Sequence, residues 1–441
     1  MSIAGNESGT PVSGPAPVAP GVVVTPPTGG GGGGYGLSGS RRSVLYGSLL
    51  VNNVVLFAVY AGVIGVLLPA QVAIIDPANK VGGFAAVTAA SALATLFVQP
   101  IVGALSDRTR SRLGRRSPWI VFGGIGGGVC TIALQFGHTV ALLAVIWVVA
   151  QILLNAVQGP TSAIIADRIE SNRRGFASSF QGVGTAVGVA VGIAFAGQQL
   201  ARVGVGYTAL GIAVIVVSIL FVLLNPDRST KDVQQAPFQW GRFARGFWIS
   251  PRRHPDYAWA FAGRFFMVLG YQAIQNYNLY ILTDYIKLDI GAAGALYGLT
   301  ASITSVAMVV STLLFGKLSD VLHRRKALVF LATILMAIAI AVPLVSPTVG
   351  AMIVYAVIVG IGYGAYLAVD LALMIDVLPS QGDLGKDLGV LNVASNLPQT
   401  LTPVVAAALL GAFAGNYASI FIYAIVAVVL SSLFVLPIKS V

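Results

Sequence analysis

Residues 103–120 read GALSDRTRSRLGRRSPWI. Five arginines and one aspartate are packed there between two long apolar runs that carry almost no charge, so the stretch reads as a short solvated turn. A weaker copy, GKLSDVLHRRKALVF over 316–330, follows 213 residues later and again separates two apolar runs. The chain therefore reads as two related halves.

The runs on either side of these turns set the class. Hydrophobic residues make up 56% of the chain, charged residues 9%, and the mean hydropathy is +0.85, the composition of a multi-pass membrane protein. A bilayer core takes about 20 apolar residues per helix. Breaking the chain at charged or Pro/Gly-rich segments gives twelve candidate helices, starting near 44, 82, 117, 139, 175, 206, 256, 292, 327, 348, 388 and 416. The expected fold is an all-α membrane protein with one half over 41–224 and the other over 256–441. Residues 1–40, rich in Pro, Gly, Ser and Thr, read as a disordered tail. No apolar signal region precedes Val44, so the first run is expected to stay as a helix and not to be cleaved. The linker 225–255 holds FQWGRFARGFWI, whose aromatics and arginines suit a helix lying in the membrane interface; a plain tether fits equally.

The net charge of +11 does not mark a nucleic-acid binder, because the charges are placed by topology. With the N-terminus inside, all of the 26 lysines and arginines except Lys80, Arg202, Lys287 and Arg264 fall on the inner side. Both termini are thus expected in the cytoplasm. The single cysteine, Cys130, excludes an intramolecular disulfide. His138, His254 and His323 lie in loops with no partner at metal-ligand spacing, so neither a metal nor a cofactor is expected. No nucleophile with its base sits within the apolar runs, which argues against an enzyme.

Polar residues inside the runs are the candidates for function. Asn52 and Asn53 need partners on a neighbouring helix or on a ligand, and Asn53 is taken as a solute-binding candidate. Gln151, Asn155, Gln158 and Ser162 recur every three or four residues and share a face that lipid would not tolerate. Thr88, Thr95 and Gln99 form a milder stripe. In the seventh run Tyr271, Gln275 and Asn278 share a face, with Gln272, Asn276 and Tyr280 adjacent; in the eleventh, Asn392, Asn396 and Gln399 do. Arg264 is the one basic residue inside a span, roughly 12 Å from the start of its helix. An intramembrane ion demands a partner. Asp370, about 13 Å above the same membrane face on the tenth run, matches its depth.

A turn of this form, between the second and third helices and echoed between the eighth and ninth, resembles the signature loop of the major facilitator superfamily. SDRTRSRLGRRSPWI is similar to the glycoside and sucrose cation-symporter branch, as are NAVQGPTSAIIAD over 155–167 and GVLNVASNLPQTLTP over 389–403. The resemblance implies two pseudo-symmetric six-helix bundles in the cytoplasmic membrane. It also implies secondary active transport of a sugar-like solute with a coupling cation, proton or sodium, by alternating access, and a monomer is expected. A proton-driven exporter of drugs or sugars, and a transport-dead sensor, remain the alternatives. Asp107, Arg108, Gly114 and Arg115 match the family turn and Asp320 repeats it; such a turn would tie the halves together on the cytoplasmic face. The sequence departs from the sucrose carriers at Gln151, where their proton-accepting acid would stand, and an amide takes up no proton near neutral pH.

Overall fold

In a computed structural model that describes residues 39–170, 173–227, 229–230, 254–322, 324–376 and 384–438, the apolar runs form twelve long helices. The first half holds α1 (Gly39–Ile75), α2 (Lys80–Arg108), α3 (Ser117–Phe136), α4 (Val140–Arg168), α5 (Arg174–Gln198) and α6 (Val203–Leu224). The second holds α7 (Pro255–Tyr280), α8 (Ile290–Leu322), α9 (Arg325–Val345), α10 (Val349–Asp376), α11 (Leu384–Ala412) and α12 (Ala418–Val435). Each begins within five residues of its expected start. Ten are long and apolar enough to cross a membrane. The two others are α7 and α11, the helices that carry Arg264, Gln275 and Asn278 on one and Ser395, Asn396 and Gln399 on the other. The tail and the interfacial stretch expected in the linker fall on 1–38 and 231–253, outside the described residues.

The packing order repeats. Within the first half α1 packs on α5 and α6, α2 on α4, and α3 on α4 and α6. Adding six to each number gives the main contacts of the second half: α7 on α11 and α12, α8 on α10, and α9 on α10 and α12. The two most extensive contacts between the halves, α2 with α11 and α5 with α8, exchange under the same shift. Even the irregularities correspond, since α1 carries a π turn at Val63–Leu67 and α7 runs into one at Ile281–Tyr285.

Small residues set the closest approaches. Without competing water, helices in lipid associate through close van der Waals packing, which glycine permits. Gly192 of α5 lies against the backbone of Ala58 on α1, and between the halves Gly197 of α5 meets Gly294 of α8 backbone to backbone. A side chain at either place would need the helices to separate. Gly184, Gly188 and Gly192, four residues apart, form a ridge that faces α1 along its length and serves packing.

Alternating helix directions put the two signature turns, the end of α6, the start of α7 and both ends of the described chain on one side of the molecule, here the arginine face.

Candidate functional site

Between the halves lies a cavity of about 570 Å³, inside the ~300–1,000 Å³ range of small-molecule sites. Each half contributes polar groups. From the first come Thr88, Thr95 and Gln99 of α2, Gln151, Asn155 and Gln158 of α4, and Thr185 of α5. From the second come Tyr271, Gln275 and Asn278 of α7, Tyr363 of α10, and Asn396 and Gln399 of α11. An amide relay crosses the midline: Gln99 Nε2 donates to Asn155 Oδ1 at 3.0 Å, and Asn396 Nδ2 donates to Gln99 Oε1 at 3.4 Å. Opposite, Gln275 Nε2 donates to the Tyr271 hydroxyl at 2.9 Å. Among the described lining residues none is Asp, Glu, Lys, Arg or His.

The structure brings most of the candidates together but not all. Asn53 is corrected: it is buried, its Nδ2 donates to Leu49 O in its own helix at 3.1 Å, and its Cβ packs beside Gly184 of α5, away from the cavity. Successive helical residues diverge by about a third of a turn, and the neighbouring Asn52 points instead to Thr161 of α4. Ser162 lies beyond the cavity and receives a 3.4 Å bond from Gln181. The side chains of Asn392 and Asp320 are outside the described residues. Tyr60, Tyr297 and Tyr355 line the cavity although the sequence pattern did not single them out. Each is a lone ring in an apolar run, and its one trace is a hydroxyl at a depth where only a cavity or a partner can satisfy it.

Arg264 and Asp370 are paired as their depths require. Arg264 Nη1 donates to Asp370 Oδ2 at 2.9 Å, and Arg264 Nε donates to Ser395 Oγ of α11 at 2.9 Å. The other carboxylate oxygen accepts from the Tyr366 hydroxyl at 2.8 Å. Asp370 is 3% exposed, so its charge is held almost wholly by these two donors. The pair reaches the cavity through a column of rings: Tyr366 stacks with Tyr363 at 6.4 Å, and Tyr363 stacks with Tyr271 at 4.0 Å and 9°. Tyr271 is the ring whose hydroxyl Gln275 holds.

At the arginine face, Gly114 turns the chain with φ 85°, a conformation that glycine adopts at no steric cost. The hub is Arg116, which the sequence reading passed over for its neighbour. Its guanidinium pairs with Asp107 and with Asp167 Oδ2 at 3.0 Å, and donates to Ser106 Oγ at 2.6 Å. Arg115 reaches the other oxygen of Asp167. These bonds join α2, α3 and α4 of one half. The expected tie between this turn and the other half stays a proposal. A tie across the halves is found on the opposite face: Lys80 Nζ of α2 lies 2.8 Å from Asp284 beyond α7, which also accepts from Tyr417 at 2.7 Å. Beside it the Tyr280 hydroxyl donates to Pro69 O of α1 at 2.8 Å. At the second turn Lys326 donates to the carbonyls of Leu436 and, at 2.9 Å, Ile438.

Comparison with known proteins agrees with this geometry. The sucrose transport protein SUC4 of Arabidopsis thaliana is 35% identical over 123 residues, 23% of this chain and 24% of that protein. The general alpha-glucoside permease of Schizosaccharomyces pombe is 27% identical over 152 residues, 30% of this chain and 28% of the permease. The matched stretches thus span about a quarter of these relatives. The fold is similar to a D-xylose–proton symporter (TM-score 0.67, 14% identity, covering 90% of this chain and 98% of the other). It is also similar to the nucleoside transporter NupG (TM-score 0.71, 15% identity, 90% and 100%). The sequence profile of the Major Facilitator Superfamily matches residues 49–281 and again 260–440, one match for each half. The chain belongs to that superfamily of membrane transporters, not to an enzyme family.

Proposed function

We propose that this transporter moves a neutral, hydroxyl-rich solute of the sugar or glycoside class across the cytoplasmic membrane, with both termini in the cytoplasm. The observation that carries the proposal is the cavity between the halves. Its lining of amides, hydroxyls and tyrosine rings offers donors, acceptors and apolar ring faces at once, which suits a sugar's hydroxyls and its C–H faces. A charged solute would lose its hydration there with no ion among the described lining residues to replace it, at a cost of several kcal/mol. Alternating access follows from two halves meeting around a midplane site. Coupling to a cation falls to the Arg264–Asp370 pair, since Gln151 takes up no proton. When Arg264 turns away, Asp370 gains a proton, and the ring column carries the state of the pair to the cavity.

The test is uptake into proteoliposomes of labelled mono- and disaccharides, with and without proton or sodium gradients. Gradient-dependent accumulation of a neutral saccharide is expected, with sugar phosphates and uronates excluded. Uptake confined to charged solutes would overturn the reading. The doubly neutral variant, Arg264→Gln with Asp370→Asn, should exchange solute but not accumulate it. Full accumulation by that variant would remove the pair from coupling.

A further inference from the structure

Three residues that line the cavity each carry a buried polar atom with no hydrogen-bond partner among the described residues: the Tyr60 hydroxyl, Asn278 Oδ1 and the Tyr355 hydroxyl. Buried polar groups in folded proteins are almost always bonded, and each exception calls for an explanation. Within α7 the contrast is sharp. Tyr277, next to Asn278, donates to Pro403 O at 2.9 Å, and Tyr280, two residues further on, donates to Pro69 O at 2.8 Å. Neither Tyr277 nor Tyr280 lines the cavity, and both hydroxyls are used in packing. Tyr297 does line it, yet its hydroxyl also has a protein acceptor, Gln275 O at 3.3 Å. Other partnerless buried atoms, such as the Tyr207 and Tyr423 hydroxyls, lie away from the cavity; these three belong to residues that line it, on three helices.

We propose that Tyr60, Asn278 and Tyr355 form a hydroxyl-reading subsite that spans the two halves and selects polyhydroxylated solutes over their deoxy counterparts. The inference rests on the sugar-class reading above and deepens it. Asn278 Oδ1 can only accept, so it calls for a solute O–H; the two tyrosine hydroxyls can donate or accept. Tyr60 belongs to α1 of the first half, whereas Asn278 and Tyr355 belong to α7 and α10 of the second. A solute that satisfies all three therefore bonds to both halves at once. A solute lacking one of the matching hydroxyls leaves a buried polar group unpaired, which is the strong form of discrimination against a missing hydroxyl.

Tyr→Phe changes isolate the claim, because each removes one oxygen and keeps the ring. The full chain in detergent is titrated with sucrose, maltose and the monodeoxy derivatives of each, and its thermal melting is followed without sugar. Tyr60→Phe and Tyr355→Phe should weaken binding of the preferred sugar about tenfold each and leave melting unchanged. Each should bind one particular monodeoxy derivative as well as the wild type does, because the lost hydroxyls match. Tyr277→Phe and Tyr280→Phe should do the reverse, lowering the melting temperature and sparing sugar affinity. Wild-type affinity in both cavity variants, with sugar bound by the wild type, overturns the subsite alone. A wild type that binds neither sugar, while transporting another class of solute, overturns the sugar reading and the subsite with it.

Discussion

Two ion pairs of nearly equal length serve different purposes. Lys80–Asp284, at 2.8 Å, joins the two halves at the face opposite the arginine turn, and about a quarter of each side chain is exposed. Arg264–Asp370, at 2.9 Å, lies inside the second half, and the aspartate side chain is 5% exposed. The rim pair keeps solvent as an alternative partner, so opening it costs little. Asp370 has little such alternative: with Arg264 neutralised, its charge stays buried with the Tyr366 hydroxyl as its remaining donor among the described residues. Length alone does not rank the two, whereas burial and the remaining donors do.

Breaking the inner pair is the largest expected effect. Arg264→Gln or Asp370→Asn alone should destabilise the second half by about 3–5 kcal/mol. The double change should recover most of that loss, because no lone ion is left. Thermal melting of the four proteins in detergent measures this, and a double variant as unstable as the sum of the singles would show that the two do not pair. Next comes Tyr366→Phe, which removes one of the two donors on the Asp370 carboxylate. A bond to a charged group is worth about 1.5–3 kcal/mol. A melting temperature equal to wild type would mean that Arg264 alone holds the charge.

How far these contrasts could be foreseen depended on how each residue signals its surroundings. The twelve helices were legible because lipid demands long apolar runs, and the inner pair because an ion in such a run has few places for a partner. Asn53 was misplaced because pattern alone does not fix the rotation of a helix about its axis, and the α1–α5 contact claims that side of the residue. Arg115 and Arg116 could not be ranked from sequence, since the turn at Gly114 decides which guanidinium points inward. Tyr60 and Tyr355 left no periodic trace at all.

The rim pair should yield smaller effects. Lys80→Ala or Asp284→Asn should cost only about 0.2–1 kcal/mol of stability, since Tyr417 and Thr283 still donate to Asp284 in the first variant. Its consequence should be conformational: a cysteine at Tyr297 should react faster with a reagent supplied from the opposite face once the clasp is gone. Unchanged labelling would make the clasp an ornament of one state. Smallest is the effect of salt. Raising ionic strength from about 0.1 to 1 M shortens the screening length from about 10 to 3 Å. The stability difference between wild type and Lys80→Ala should shrink accordingly, while that between wild type and Arg264→Gln should not.

The central claim is that the cavity between the halves is the solute site, and substrate protection tests it most directly. In a chain with Cys130 replaced by alanine, single cysteines are placed at Gln151, Asn155, Gln275 and Asn396, with lipid-facing controls at Val145 and Val187, which are 62% and 43% exposed. A small polar thiol reagent should modify the cavity positions faster than the controls, and the transported saccharide should slow that modification at positions from both halves. Cavity positions no faster than the controls, or a rate that no transported solute changes, would contradict it.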